Sequence, residues 1–124
     1  MNVETARFNM IEQQIRPWEV LDPHVLSLLA SVRREDFVPA ALRSLAFVDT
    51  QVPLLPGQPD GPRMLEPRVE ARLLQELKVQ RHEKVLEIGT GSGFMAALLG
   101  HRALQVVTLE CHPELARTAR ENLR

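Results

Sequence analysis

Over its first half the chain has the rhythm of amphipathic helices. Ala6, Met10 and Ile11 fall on one side of a helix predicted over residues 3–15, and Gln13 and Gln14 keep the other side polar. Arg16-Pro17-Trp18 ends it, because proline biases the residue before it away from the helical region. Trp18, the only tryptophan, reads as a packing anchor. Asp22-Pro23 announces a second helix, with a side-chain acceptor at the N-cap and proline at the first helical position. Val25, Leu28, Leu29 and Val32 then follow at i, i+3, i+4 and i+7 and form its core face. Arg33, Arg34, Glu35 and Asp36 balance each other's charge and predict a solvated turn, with a short helix over Pro39–Leu45. Residues 53–62 hold four prolines and two glycines and predict a loop, either functional or a connector. A third helix is predicted from Pro67 to Leu77, with Val69, Leu73 and Leu77 spaced by four and an Arg72–Glu76 pair on its exposed face.

At Lys84 the rhythm changes. Val85, Leu86 and Ile88 make the short apolar run of a buried parallel strand. Gly89, Gly91 and Gly93 follow at alternate positions, and Phe94–Leu99 opens a helix. Strand, glycine turn and helix bring backbone close to a bound nucleotide, since a chain without β-carbons can turn sharply and leave room for a ligand. A second apolar run, Val106–Leu109, ends in Glu110, 21 positions after Gly89. An acidic residue there lies at the tip of the neighbouring strand, where it can accept hydrogen bonds from both ribose hydroxyls. Two nucleotide chemistries compete for this pattern. A nicotinamide-dependent oxidoreductase needs G-x-G-x-x-G, whose third glycine falls here on Phe94. The observed G-x-G-x-G, with Glu87 two residues before it, resembles motif I of S-adenosylmethionine-dependent methyltransferases, E/D-x-G-x-G-x-G. In that family the acidic residue helps hold the turn near the methionine end of the cofactor.

Composition adds limits. The 124 residues allow at most one ordinary domain. A formal net charge of −1, without a long single-sign block, gives no reason to expect a nucleic-acid or membrane partner. No apolar run approaches the roughly 18 residues of a transmembrane helix, and the amino terminus lacks the build of a signal peptide. The single cysteine, Cys111, excludes an internal disulfide, fits a cytoplasmic location and reads as a small packing residue. His24, His82, His101 and His112 show no metal-ligand spacing and read as surface residues, so no metal is expected. Only two strands follow Lys84, which predicts the amino-terminal part of a longer protein, open at one sheet edge and prone to self-association.

V-L-E-I-G-T-G-S-G, together with R-E-D-F-V-P-A and A-F-V-D-T-Q-V-P-L, resembles the bacterial protein-L-isoaspartate O-methyltransferase family from about Asn9 to Leu123. The resemblance implies an α/β fold: a Rossmann-like class I methyltransferase sheet, partial in this chain, preceded by an amino-terminal helical segment. It divides the chain into residues 1–66, helical segment and Pro-rich loop, and residues 67–124, the first βαβα part of the cofactor domain. It implies S-adenosyl-L-methionine as cofactor, held by Glu87, Gly89, Thr90, Gly91, Ser92 and Gly93 of motif I, with Glu110 on the ribose. It implies a protein or peptide substrate bearing isoaspartate, whose α-carboxylate takes the methyl group in protein repair. One segment departs from the pattern. Family enzymes carry T-I-S-Q-P before the helix that leads into motif I, and here Arg63, Met64, Leu65 and Glu66 precede Pro67. Leu65 occupies the position of the serine beside the reacting methyl group, and Arg63 is the nearby cation able to take over part of its role. A different acceptor, or a non-catalytic cofactor-binding or scaffold domain, is the alternative that this departure leaves open.

Overall fold

The protein is described by a computed structural model covering residues 2–124. Helix α1 (Val3–Met10) is capped by Asn2, whose side chain accepts from the Thr5 amide at 3.0 Å. It widens into a π turn over Ile11–Ile15 and tightens to a 3₁₀ turn over Arg16–Trp18, so the chain stays coiled past Pro17. The break comes at Glu19, which takes a left-handed φ of 62°. Helix α2 (Pro23–Ser31) has the predicted cap, with Asp22 accepting from the His24 and Val25 amides, and buries Val25, Leu28 and Leu29. Two 3₁₀ segments follow, Arg34–Phe37 and Ala40–Leu45, the second kinked at Leu42.

The Pro-rich stretch is more ordered than its composition suggests. Strands β1 (Val52–Pro53) and β2 (Arg63–Met64) pair antiparallel around it, and the Leu54 amide donates to the Pro62 carbonyl at 2.9 Å. Leu54 and Leu55 turn into the core and pin one arm of this hairpin. Helix α3 (Pro67–Leu77) has the predicted limits, and Arg72 bonds Glu76 at 2.9 Å. Gln75 fastens it to the break after the first helix, accepting from the Leu21 and Asp22 amides and donating to the Glu19 carbonyl. Strand β3 (Lys84–Ile88), helix α4 (Phe94–Gly100) and strand β4 (Gln105–Leu109) form a βαβ unit whose strands pair parallel, Lys84 opposite Gln105 through Ile88 opposite Leu109. Helix α5 (Pro113–Asn122) follows. The core runs unbroken from Met10 and Ile15 through Val25, Phe37, Val52, Leu74 and Phe94 to Leu115. Among the described residues no helix is long and apolar enough to cross a membrane.

The structure contradicts the sequence reading at four places. The charged cluster is no solvated turn: Arg34 and Glu35 are buried, because each finds a partner from a distant element. Glu35 takes two bonds from Arg7, at 2.9 and 2.8 Å, and Arg34 bonds Glu70 at 2.8 Å. Spacing within the cluster could not show partners 28 and 36 residues away. Trp18 is 40% exposed rather than an anchor in the core; its ring carries the Arg68 guanidinium 4.1 Å from its centroid. On α3 the buried side chains are Pro67, Glu70, Ala71 and Leu74, whereas Leu73 and Leu77 are exposed. The small Ala71 lets the helix approach the core closely, which the Leu spacing concealed. Cys111 is exposed rather than packed inside, with Sγ 3.5 Å from His112 Nδ1.

Candidate functional site

The glycine turn starts where β3 ends. Gly89, Gly91 and Gly93 have φ of 95°, 59° and 95°, in the left-handed region that L side chains rarely adopt. At Gly89 an added Cβ would meet nothing within 4 Å, so backbone conformation rather than space requires glycine there. The Gly89 and Thr90 amides donate to the Leu109 carbonyl at 2.8 and 3.1 Å, so the turn is tied to the end of β4.

A hydroxyl relay fixes the acidic residue of the strand. Thr108 donates to Glu87 Oε1 at 2.7 Å and, having spent its proton there, accepts from Thr90 at 2.6 Å. Burial raises the Glu87 pKa, the Thr108 bond opposes the rise, and the Glu110 charge adds to it. Glu110 accepts the Gly91 amide at 2.8 Å on one oxygen, and the His112 amide and ring Nδ1, both at 3.1 Å, on the other. Burial would raise its pKa, but those two amides and His112 outweigh burial and hold it below the usual carboxylate range. His112, read from sequence as an ordinary surface residue, is therefore a brace for Glu110. Glu110, Cys111 and His112 place three donor atoms within 4.8 Å of one another, yet both Glu110 oxygens are already engaged by N–H groups.

A cavity of about 260 Å³ opens beside the turn. Glu87, Gly89, Thr90, Gly91 and Ser92 line it together with Arg63, Leu65, Glu70 and Leu73. Of the residues singled out from sequence, Gly93 and Glu110 do not line it; Glu110 reaches its rim through the Gly91 amide. Arg63 lines it but turns its guanidinium into the hairpin, donating to the Pro59 carbonyl and to Gln51 Oε1, with Asp60 at 3.5 Å. Leu65 presents an apolar side chain, while its carbonyl accepts from Arg34 at 2.9 Å.

Arg34 and Glu70 are the residues the sequence reading missed. Arg34 donates to the Ala46 carbonyl at 2.6 Å, to the Leu65 carbonyl and to Glu70, and its guanidinium lies 5.5 Å from the centroid of the Phe94 ring. One buried cation thus ties together the hairpin, α3 and the helix after the glycine turn. The available signal was a glutamate, Glu70, at a position of α3 between the buried Pro67 and Leu74.

The comparisons agree with this architecture. The sequence model of the family "Protein-L-isoaspartate(D-aspartate) O-methyltransferase (PCMT)" matches residues 5–124. The chain is 41% identical over 117 residues to a protein-L-isoaspartate O-methyltransferase of Koribacter versatilis, covering 94% of this chain and 51% of that protein. It is 39% identical over 121 residues to one of Herpetosiphon aurantiacus, covering 98% and 52%. The chain therefore spans about half the length of the curated relatives it matches. Among solved structures, a protein-L-isoaspartate O-methyltransferase superposes with a TM-score of 0.75 at 20% identity, over 97% of this chain and 37% of that one. A Plasmodium falciparum protein of the same description, in complex with S-adenosyl-L-homocysteine, gives 0.71 at 19% identity, over 99% and 55%. At those identities the likeness is one of fold, and it agrees with the partial class I methyltransferase sheet that the family resemblance implied. With the family match covering residues 5–124, the chain belongs to the protein-L-isoaspartate(D-aspartate) O-methyltransferase family.

Proposed function

We propose that the protein containing this chain is a cytoplasmic, S-adenosyl-L-methionine-dependent O-methyltransferase acting on isoaspartyl carboxylates in damaged proteins, and that this chain supplies its cofactor wall. The observation that carries the reading is the left-handed glycine turn opening on a cavity, with Glu87 beneath it and Glu110 bonded to its middle amide. The residues present fit the cofactor: the open space at Gly89 admits a ligand against backbone, and Glu110 Oε1, with one bond from the Gly91 amide, retains a lone pair for a ribose hydroxyl. Thr90 and Ser92 belong to the same turn, and Gly93 leads it into α4. The Plasmodium protein of the same fold is described in complex with S-adenosyl-L-homocysteine, which supports the same assignment. A nicotinamide reading is disfavoured by Phe94, whose buried ring packs on Phe37 with centroids 5.5 Å apart and fills the place of a third glycine.

The sulfonium of the bound cofactor supplies an activated methyl group, so the protein's task is to place an acceptor oxygen close to it and in line. On the acceptor side the hairpin contributes Leu65 and Arg63. Leu65 offers a carboxylate no hydrogen bond, and an unsatisfied buried polar group costs ~1–3 kcal/mol. Arg63 spends donors on Pro59 and Gln51, and compensates only by leaving them. The wild type is therefore expected to turn over isoaspartyl peptide slowly. Leu65→Ser is expected to raise that turnover roughly five- to a hundredfold, at 1.36 kcal/mol per tenfold. A methyl-transfer assay on an isoaspartyl peptide with full-length wild type, Leu65→Ser and Arg63→Ala tests this. Strong wild-type turnover that collapses only in Arg63→Ala makes Arg63 the acceptor residue, and no transfer by any of the three overturns the acceptor assignment.

A further inference from the structure

The Glu110 side chain is 8% exposed, so what it can still accept is set by the groups already around it. An ionised carboxylate offers about four lone-pair sites, two on each oxygen. On Oε2 both are engaged, by the His112 amide and by His112 Nδ1, each at 3.1 Å. On Oε1 one is engaged, by the Gly91 amide at 2.8 Å. Three donors therefore leave one site, and it lies on Oε1.

Of these donors only the ring depends on which residue follows Cys111; the two amides belong to the backbone. Against the push of burial, the three N–H groups hold the Glu110 pKa below the usual carboxylate range, so the group is ionised and can only accept. The proton of the ring contact therefore resides on Nδ1. Cys111 Sγ lies 3.5 Å from the same nitrogen, but a sulfur is a weak acceptor beside a carboxylate at 3.1 Å. His112 is also the N-cap residue of α5, a place where a side chain ordinarily accepts from the first helical amides. It makes no such bond, and its ring turns to Glu110 instead.

We propose that His112 is a positioning residue that sets how this chain reads the ribose: by occupying Glu110 Oε2 it leaves the carboxylate room for one ribose hydroxyl instead of two. The inference rests on the cofactor reading above, and it narrows the contact with both hydroxyls expected from sequence to a single one. The two hydroxyls of the ligand then differ in their worth, and removing them one at a time separates them.

Calorimetry on the full-length protein with S-adenosyl-L-homocysteine and its 2′-deoxy and 3′-deoxy analogues tests it. The readings are affinity ratios within each variant, which a change in folded fraction leaves unaltered. In the wild type one deoxy analogue is expected to bind about ten- to a hundredfold more weakly than the parent, the range for one hydrogen bond to a charged group, and the other to stay within about threefold. His112→Phe keeps a ring and the backbone amide but removes the Nδ1 donor. Oε2 then regains a site, and the second analogue is expected to lose about tenfold as well. A ring that served packing alone would leave both ratios unchanged in His112→Phe, and that result overturns the proposal. Equal losses for the two analogues in the wild type overturn it too, even where His112→Phe fails to fold, and leave the cofactor reading standing. No loss for either analogue takes the ribose away from Glu110 and overturns the proposal. Wild type that does not bind S-adenosyl-L-homocysteine overturns both the proposal and the cofactor reading.

Discussion

The two halves of the chain bury their side chains very differently. The helical half supplies most of the buried core, and even guanidinium groups are enclosed there: Arg7 is 3% exposed and Arg34 1%. Arg7 is held by Glu35 and Glu4 and lies 5.2 Å from the centroid of the Phe47 ring. In the βα half one face of the sheet is bare. Leu86, Ile88, Val107 and Leu109 alternate along paired strands and are 61, 73, 47 and 51% exposed, whereas Val85, Glu87, Val106 and Thr108 on the opposite face are partly buried. The contrast teaches that burial here follows partners and not residue type. Arginine goes inside where a carboxylate and carbonyls receive it, and leucine stays outside where nothing covers the strand.

The largest expected effect comes from breaking the enclosed pair. Glu35→Ala leaves Arg7 buried beside Glu4 alone and should cost about 3–5 kcal/mol of stability by urea unfolding. Replacing both partners, Arg7→Met with Glu35→Leu, should cost much less. Equal losses in the single and double variants would show that Phe47 and the surrounding packing, not the pair, set the stability there.

Acid sharpens the same contrast. Burial alone would raise the Glu35 pKa, but the Arg7 bonds, a backbone amide and the charges of Arg7 and Arg33 hold it below its ordinary 4.5. A depressed pKa gives stability that is complete above about pH 4.5 and lost as pH falls through the folded-state value. Glu70, with a raised pKa, has the opposite sign: its contribution is present below 4.5 and lost as pH rises through its folded-state value. The stability gap between wild type and Glu35→Gln should therefore narrow as the pH is lowered below about 4.5, and that between wild type and Glu70→Gln should not. Urea titrations at several pH values read both gaps.

The smallest effect on stability belongs to the bare sheet face. Ile88→Lys should change unfolding by roughly 0.5 kcal/mol or less, as exposed substitutions do. It should reduce self-association of the 124-residue chain, because four exposed apolar side chains on a strand pair invite a second copy. Light scattering that finds a monomer at high concentration in both proteins would remove self-association from the account.

What the sequence disclosed follows the range of each interaction. Local signals were sufficient for the Asp22 cap, for both ends of α3 and for strand, turn and helix around Gly89, since caps, proline positions and glycine dihedrals act within a few residues. Glu87, Gly89, Thr90, Gly91 and Ser92 of the glycine motif also come together along one cavity. Arg34, Glu35 and Glu70 were illegible because their partners come from other elements, and a charged residue looks solvated until its partner is known. Leu73 and Leu77 misled for the converse reason: spacing by four marks an apolar face without saying whether anything lies against it. The brace of His112 on Glu110 was two residues away and still unread, because it depends on how the chain bends after β4.

The central claim is that this wall holds an S-adenosyl ligand rather than a dinucleotide. Calorimetry of the full-length protein with S-adenosyl-L-homocysteine and with NAD tests it most directly. The account predicts binding of S-adenosyl-L-homocysteine, weakened in Glu110→Ala by about 1.5–3 kcal/mol, the worth of a hydrogen bond to a charged group, and no comparable binding of NAD. Tight NAD binding with no response to S-adenosyl-L-homocysteine would contradict it.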